Sequence, residues 1–338
     1  MNFPPKPLPD VDEMHLSQEA EDQGHDENKL EYYIPTNIPP EVLAYGFHLD
    51  QLDIGRAGKL GGLILRLEKD KVNGRTTVKR QFSKVPLFTQ RALYLEESLP
   101  SMAYMYIISP SGGILQGDRY RMDITLRNEA MAHITTQGAT RLYRMEKNFA
   151  TQIVNLDIGE GCYFEYIPDQ IIPYRDSRFY QIANLNVHDT ATLVYSEMIT
   201  PGRVAMGEHF QYDICYMKAI GKNQKGNLRF YDVAILEPKK RNMGAFGIME
   251  KSDVFGTVYI LTERKHVSGL YEKINHRLKD TLPEIIFAGG ATILPQNGGV
   301  LIRLLGATAS DIRTAIFEVV RLVRKDVLNA PFSGIRKG

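Results

Sequence analysis

This 338-residue chain contains no tryptophan, only two cysteines and no long apolar run. Cys162 and Cys215 lie far apart, so the sequence predicts neither a disulfide framework nor a Cys-x-x-Cys zinc site. No apolar segment approaches the roughly 20 residues of a membrane-spanning helix, so we expect no such span. The first ten residues contain no basic patch followed by an apolar stretch, so we expect no secretory signal. These absences favour a cytoplasmic protein.

Signatures of nucleotide or metal chemistry on a single segment are also missing. The chain has no Gly-x-x-x-x-Gly-Lys-Ser/Thr loop and no His-Glu-x-x-His motif, and its eight histidines are scattered. We therefore expect neither a phosphate-binding loop nor a closed histidine site for nickel or zinc. A formal net charge of +1 argues against a dedicated nucleic-acid binder.

Charge is distributed unevenly along the chain. Residues 1–40 contain nine acidic and two basic residues together with seven of the 17 prolines, whereas residues 41–338 contain 39 basic and 31 acidic residues. A segment so poor in apolar residues cannot offset its ordering entropy by burial, so residues 1–40 are predicted to form a mostly disordered acidic arm. Two interpretations are open: a solvated tail, or a segment that shields the basic body or binds a partner.

Residues 41 to about 265 are predicted to form one strand after another. Short runs rich in β-branched and aromatic residues are separated by Gly, Pro, Asn or Asp. No long helical pattern lies between them, which disfavours a doubly wound parallel sheet and leaves a sandwich, a barrel or a stack of strand coils. The predicted strands are 60–67, 76–82, 103–108, 120–126, 131–136, 151–158, 162–167, 178–187, 192–199, 210–219, 228–236 and 254–262.

Two amphipathic helices are predicted near the end of the chain. The first covers 270–278 with Ser268 as its cap. The second has an apolar stripe over 312–327, with Ser310 as the N-cap and basic residues in its last turn. Residues 331–338 are predicted to be a flexible tail.

A glycine-rich segment stands out in the first half. Gly112, Gly113 and Gly117 precede Asp118, but no lysine accompanies them and a strand pattern follows. The segment is therefore interpreted as a tight turn that lets two backbones approach and directs Asp118 inward, and not as a phosphate loop.

Four motifs in fixed order, the first of them this turn, resemble those of the urease accessory protein UreD family, called UreH in some organisms. They are Ser109-Pro110-Ser111-Gly112-Gly113-Ile114-Leu115-Gln116-Gly117-Asp118, Thr135-Thr136-Gln137-Gly138-Ala139-Thr140-Arg141, Phe164-Glu165-Tyr166-Ile167-Pro168-Asp169, and Thr200-Pro201-Gly202-Arg203 through Gly207-Glu208. The resemblance identifies residues 41–330 as a single UreD-like β domain. The acidic arm and the final residues 332–338 fall outside it.

The resemblance implies a mainly β fold, a β-helix-like stack of about seventeen short strands with two C-terminal α-helices. It also implies a maturation factor and not an enzyme, which works with UreF-type and UreG-type proteins to load nickel into apo-urease. Ni²⁺ would be a transient cargo and no tightly bound cofactor is expected. The resemblance implies nickel transit at Asp118, Glu165 and Glu208, and we add Asp169. Structural roles are expected for Gly112, Gly113, Gly117, Thr135, Gln137, Arg203 and Gly207.

The residues themselves leave alternatives open. Oxygen ligands hold late first-row ions loosely, which suits transfer. Each acid also has a structural interpretation: Asp118 could cap its own turn, Glu208 could pair with Arg203, and Glu165 could pair across strands. Two other functions are considered, a strand-stack enzyme that uses paired carboxylates on a polysaccharide and a generic protein-binding scaffold. The absence of tryptophan, the usual sugar platform, weighs against the enzyme.

Overall fold

The chain winds between two β-sheets that face each other, in a computed structural model that describes residues 27–46, 58–280 and 286–334. The strands are β1 (Leu60–Lys69), β2 (Thr76–Lys84), β3 (Phe88–Thr89), β4 (Ala103–Ile108), β5 (Arg119–Arg127), β6 (Met131–Thr136), β7 (Thr140–Leu142), β8 (Ala150–Ile158), β9 (Tyr163–Tyr166), β10 (Ile171–Pro173), β11 (Arg178–Val187), β12 (Thr192–Ile199), β13 (Ile214–Lys222), β14 (Leu228–Leu236), β15 (Val254–Leu261), β16 (Ile286–Ile293) and β17 (Val300–Gly306). The α-helices are α1 (Pro40–Leu43), α2 (Arg264–Asp280) and α3 (Ala309–Val327), and short 3₁₀ helices lie at Leu30–Tyr33, Val204–Met206 and Pro295–Asn297.

From β4 to β13 the chain passes back and forth between the two sheets, apart from the short strands β7 and β10, which pair with each other. The seven-stranded sheet has the order β14-β13-β11-β8-β5-β1-β2, and the main path of the ten-stranded sheet has the order β16-β17-β15-β12-β9-β6-β4-β3. Strands β5, β8, β11 and β13 pair in parallel, as do β4, β6, β9 and β12 on the opposite sheet. Because each turn of chain adds one strand to each sheet, parallel pairing arises without intervening helices. The predicted mainly β, β-helix-like stack with two C-terminal helices is confirmed.

The coil has a regular backbone without a repeated sequence. Arg119 lies opposite Thr151, Thr151 opposite Tyr180, and Tyr180 opposite Tyr216. The side chains at this register position range from a cation to a hydroxyl and two phenols. The structural repeat of the coil therefore depends on the burial of its strands and does not require a repeated sequence.

Apolar side chains form two large layers. One fills the space between the two sheets and includes Ile124, Leu156 and Leu193. The other lies between the ten-stranded sheet and the helices, where the stripe of α3 packs on β15 and β17 through Ile312 and Val320. The stripe predicted on the second helix is thus buried against the protein's own sheet. None of the described helices is long and apolar enough to cross a bilayer.

Helix starts and the last hairpin differ from the sequence-based expectation. Ser268 lies inside α2, and the N-cap of α3 is Thr308, not Ser310. The Thr308 hydroxyl accepts from the Asp311 amide while the Asp311 carboxylate accepts from the Thr308 amide, a reciprocal pair that Ser310 does not form. Strands β16 and β17 were also not predicted: the glycine-rich β16 has little β-propensity, whereas β17 alternates buried and half-buried residues and was overlooked.

Part of the predicted acidic arm lies within the described residues. Residues 27–40 include the 3₁₀ helix Leu30–Tyr33 and the buried side chain of Tyr33. Residues 1–26 lie outside the described residues. In the predicted tail, Phe332 is buried and packs against Phe317 of α3, whereas residues 335–338 lie outside the described residues.

Candidate functional site

A cavity of about 220 Å³ lies between the two sheets at the loops that carry the sequence motifs. Its walls come from the glycine turn, from the loop that follows β6, and from the inward faces of β8, β11 and β12. The lining residues include Gly112, Gly113, Tyr120, Gln137, Arg141, Gln152, Tyr166, Asp169, Gln181, Tyr195 and Glu197. Residues from three of the four sequence motifs therefore line this one cavity.

A ladder of polar side chains crosses the cavity from one sheet to the other. On the seven-stranded sheet, Gln152 Nε2 donates to Gln181 Oε1 at 2.7 Å. Gln181 Nε2 then donates to Glu197 Oε1 on β12 at 2.8 Å, and the Tyr195 hydroxyl donates to the same oxygen at 2.7 Å. These hydrogen bonds hold the amide and phenol oxygens of Gln152, Gln181 and Tyr195 and the carboxyl group of Glu197 in the protein interior.

Glu197 is a buried acid without an ion pair among the described residues. Burial raises its pKa, and the charge of Asp232 raises it further. Hydrogen bonds from Tyr195 and Gln181 and the charge of Arg303 oppose the rise, so the pKa is about 7. Arg303 itself pairs with Asp232 at 2.5 Å. Near neutral pH, Glu197 can therefore hold or release a proton inside the cavity.

The glycine turn explains the position of Asp118. A Cβ on Gly113 would lie 2.5 Å from the Arg141 carbonyl oxygen, so only glycine allows this approach, which the hydrogen bond from the Ile114 amide to the Arg141 oxygen holds at 2.8 Å. Gly117 has φ of +77°. The turn directs the Asp118 carboxylate inward, as the sequence predicts.

The Asp118 carboxylate is fully occupied by protein donors. Its oxygens accept from the amides of Gly58, Lys59 and Leu115 and from the Tyr120 hydroxyl. Burial raises the pKa of Asp118, although these hydrogen bonds oppose the rise. The carboxylate lies behind the cavity wall, which it reaches through Tyr120.

Glu165 lies in a different layer, beneath helix α3. Arg324 Nε and Nη2 donate to its two oxygens at 2.6 and 2.7 Å, and Arg324 Nη1 contacts Glu96 at 2.5 Å. His133, its cross-strand neighbour, lies 2.6 Å away through Nδ1. Burial alone would raise the pKa of Glu165, but hydrogen bonds and charge from Arg324 and His133 lower it to about 2. This carboxylate joins α3 to the ten-stranded sheet and does not line the cavity.

Glu208 forms the pair that its spacing from Arg203 suggested. Arg203 Nε and Nη2 donate to the two Glu208 oxygens at 2.8 and 2.5 Å, and the Arg203 guanidinium lies 3.9 Å from the ring centre of Tyr174. The hydrogen bond from Arg203 lowers the pKa of Glu208. Gly207 follows the 3₁₀ helix at φ of +73° and lets the chain turn back toward Glu208. Arg203 is partly exposed and Glu208 is buried, and both lie outside the cavity lining.

Asp169 is the sequence-predicted acid that lines the cavity. Arg313 of α3 lies 3.4 Å from its Oδ1, and the Asp169 amide donates to the Thr136 hydroxyl at 2.8 Å. Gln137 lines the same cavity, while Thr135 uses its hydroxyl to donate to the Ile167 carbonyl at 2.6 Å. Sequence motif and cavity wall therefore coincide at residues 136–141 and 168–169.

The four predicted acids do not converge on one point. Within 27–46, 58–280 and 286–334, no group of three or more His, Cys, Asp or Glu side chains is arranged to hold a metal ion. Cys162 and Cys215 are unpaired and buried, and burial raises the pKa of the Cys162 thiol to about 11. The sequence analysis missed Glu197. Its signal was a carboxylate in the middle of Thr192–Ile199, a strand whose residues are all buried.

Comparison with known proteins decides the family. The family model described as UreD urease accessory protein matches residues 60–337. The urease accessory protein UreD of Cenarchaeum symbiosum is 42% identical over 289 residues, which cover 86% of this chain and all of that protein. The chain belongs to the UreD family.

Bacterial members of the family are also similar. The protein named urease accessory protein UreD 2 of Brucella canis is 38% identical over 86% of this chain and 95% of its own length. UreD of Yersinia pseudotuberculosis is 34% identical over 86% of this chain and 89% of its own length. The family match includes every cavity residue discussed above and begins after residues 27–46.

Proposed function

We propose that this UreD-family chain is a urease maturation factor that passes Ni²⁺ through its interior cavity toward apo-urease. It acts in the cytoplasm with UreF-type and UreG-type partners and performs no reaction of its own. Family membership supports the link to urease maturation. The observation that carries the transit proposal is the cavity, because it brings motif loops and two carboxyl groups to the same interior space.

The chemistry of the cavity suits a cargo that must leave again. Its lining contains carboxyl, amide, hydroxyl and phenol oxygens together with Arg141, and no histidine or cysteine. Late first-row metal ions bind nitrogen and sulfur ligands more tightly than isolated oxygen ligands, so an oxygen-lined path admits Ni²⁺ without retaining it. Glu197 can exchange its proton for the charge of the cation, and Asp169 supplies a second carboxylate.

A division of roles among the acids follows from their contacts. Asp118, Glu165 and Glu208 already accept hydrogen bonds at both carboxylate oxygens, so a metal ion would have to displace those donors. We assign Asp118 to support of the cavity wall, Glu165 to attachment of α3 and Glu208 to its pair with Arg203 outside the cavity. Asp169 and Glu197 are assigned to contact with the cargo. Replacement of Asp118, Glu165 or Glu208 is then expected to disturb the fold, whereas replacement of Glu197 is expected to weaken the contact with Ni²⁺.

Co-expression with urease and its accessory proteins tests this assignment. Glu197→Gln keeps the hydrogen-bond acceptor and removes the charge, and Glu160→Gln makes the same change at an exposed turn. We expect Glu197→Gln to lower the nickel content of urease by about tenfold while the accessory complex still co-purifies, and Glu160→Gln to change neither. If urease from the Glu197→Gln strain carries the normal amount of nickel, the cavity is not the route.

A further inference from the structure

Residues 27–46, called the strap below, lie across the outer face of the seven-stranded sheet. The strap precedes the range that the family model matches. It contacts the sheet at two places, one on β1, β2 and β5 and the other on β11 and β13.

The first anchor consists of two adjacent tyrosines. Tyr33 is completely buried, and Lys84 lies 4.8 Å from its ring centre. A Cβ on Gly62 would lie 2.9 Å from the Tyr33 hydroxyl oxygen, so glycine at this point of β1 makes room for the ring. The Tyr32 ring lies under the Arg121 guanidinium at 4.0 Å, and Arg121 Nη1 donates to the Tyr32 carbonyl at 2.9 Å. The sheet is thus shaped to receive this segment.

The second anchor is the side chain of Val42 in α1. It is completely buried in a small apolar cluster with Phe149, Tyr180, Ile214 and Tyr216, which is separate from the two large layers. The Tyr180 hydroxyl donates to the Asn37 carbonyl at 3.2 Å. Without Val42, this apolar cluster would face solvent on the outside of the sheet. The neighbouring Leu43 points the other way and is 43% exposed.

The end of the strap is bonded to the corner that supports the glycine turn. The Asn148 amide donates to the Tyr45 carbonyl at 3.1 Å. The Asn148 side-chain oxygen accepts from Arg119 Nη2 at 3.1 Å, and Arg119 Nη1 donates to the Phe149 carbonyl at 2.5 Å. Arg119 directly follows Asp118. Hydrogen bonds therefore run without a break from the strap to the turn behind the cavity wall.

We propose that the outer face of the seven-stranded sheet is a peptide-binding groove, that the chain fills it with its own residues 27–46, and that this occupancy holds the corner formed by residues 117–120 and 148–149. The tether favours the chain's own segment, because a linked peptide is present at high effective concentration. The groove recognises a tyrosine pair followed by a buried valine. Its ligand is thus a segment of this protein that contains the 3₁₀ helix Leu30–Tyr33 and the helix α1.

Hydrogen exchange on the full-length protein tests the proposal with a matched pair of variants. Val42→Asp places a charge in the apolar cluster, and Leu43→Asp places the same charge one residue away, in solvent. We expect the Asn148, Phe149 and Thr151 amides to exchange at least about tenfold faster in Val42→Asp than in Leu43→Asp. Val42→Ala, a milder change, should shift the same amides in the same direction. Equal exchange in all variants would overturn the proposal.

A peptide supplied in trans tests the groove itself. A labelled peptide of residues 34–46 should bind saturably to the Val42→Asp protein, whose second anchor is vacated, and not to the parent protein. The same peptide carrying Val42→Asp should not bind. If light scattering shows that the parent is a dimer and the free peptide dissociates it, the groove is filled by a second copy, and the proposal of the chain's own strap is wrong.

Discussion

Two buried glutamates on neighbouring strands have opposite electrostatic surroundings. Glu165 on β9 lies opposite Val194 of β12, and Glu197 is three residues further along the same strand. Glu165 faces the helix layer and meets the guanidinium of Arg324, so its pKa falls to about 2. Glu197 faces the cavity, where burial raises its pKa to about 7 and hydrogen bonds from the neutral donors Tyr195 and Gln181 only partly oppose the rise.

The two surroundings suit the two carboxyl groups to different roles, one structural and one chemical. A buried carboxylate bonded to a cation is permanently charged and fixed, so it can join two layers but has little capacity for a new ligand. A buried carboxyl group held by uncharged donors can change its protonation near neutral pH, and perturbed groups of this kind are concentrated at functional sites. The proposal that the cavity, and not the Arg324 pair, handles a cation rests on this difference.

The largest loss of stability is expected when the guanidinium that pairs with Glu165 is removed. Arg324→Met leaves the Glu165 charge buried without its guanidinium, which costs about 3–5 kcal/mol of unfolding free energy. Arg203→Met is the matched control, because it removes the guanidinium that pairs with Glu208. The Arg203 side chain is 38% exposed, so water can take the place of its guanidinium. Urea unfolding should show a much smaller loss for Arg203→Met. Equal losses would contradict the contrast between a fully buried guanidinium and a partly exposed one.

A smaller effect, which depends on pH, is expected for the cavity glutamate. The ordinary pKa of glutamate is 4.5 and that of Glu197 is about 7, so between these values the folded protein holds a proton that the unfolded chain has released. The unfolding free energy of the parent therefore falls as pH rises through this window. Glu197→Gln cannot ionise and should escape this decline.

Urea unfolding from pH 5 to pH 8 measures this difference. We expect Glu197→Gln to gain stability relative to the parent across this range, on the order of 1–3 kcal/mol. Glu160→Gln, at an exposed position, should follow the parent at every pH. Parallel stability curves for the parent and Glu197→Gln would show that the cavity does not perturb this carboxyl group.

The strands were largely predictable because their local pattern is strong. Burial of Arg178–Val187 and Thr192–Ile199 follows from their apolar and β-branched content, and both ranges were predicted as observed. The pairing of distant strands into two sheets was not predictable from these residues alone, since the coil has no sequence repeat. The resemblance to a family supplied the architecture instead.

The candidate site was only partly predictable for a related reason. The motif residues Gly113 and Asp118 indicate a tight turn, because glycine and a short acid have specific backbone uses. Whether an acid faces the cavity depends on which layer packs against its side of the strand. That packing is set by the tertiary structure and not by the local sequence. Glu165 meets the helices and Glu197 meets the cavity, although both lie in strands that are buried throughout.

Anomalous X-ray scattering from crystals of this protein soaked in Ni²⁺ locates the ion and so tests whether the cavity receives it. We expect a nickel peak inside the cavity, within coordination distance of the Glu197 or Asp169 carboxyl oxygens, and its loss in crystals of Glu197→Gln. We expect no peak at Glu165, whose oxygens are held by Arg324. A peak at Glu165 or at Asp118, with an empty cavity, would contradict the proposal.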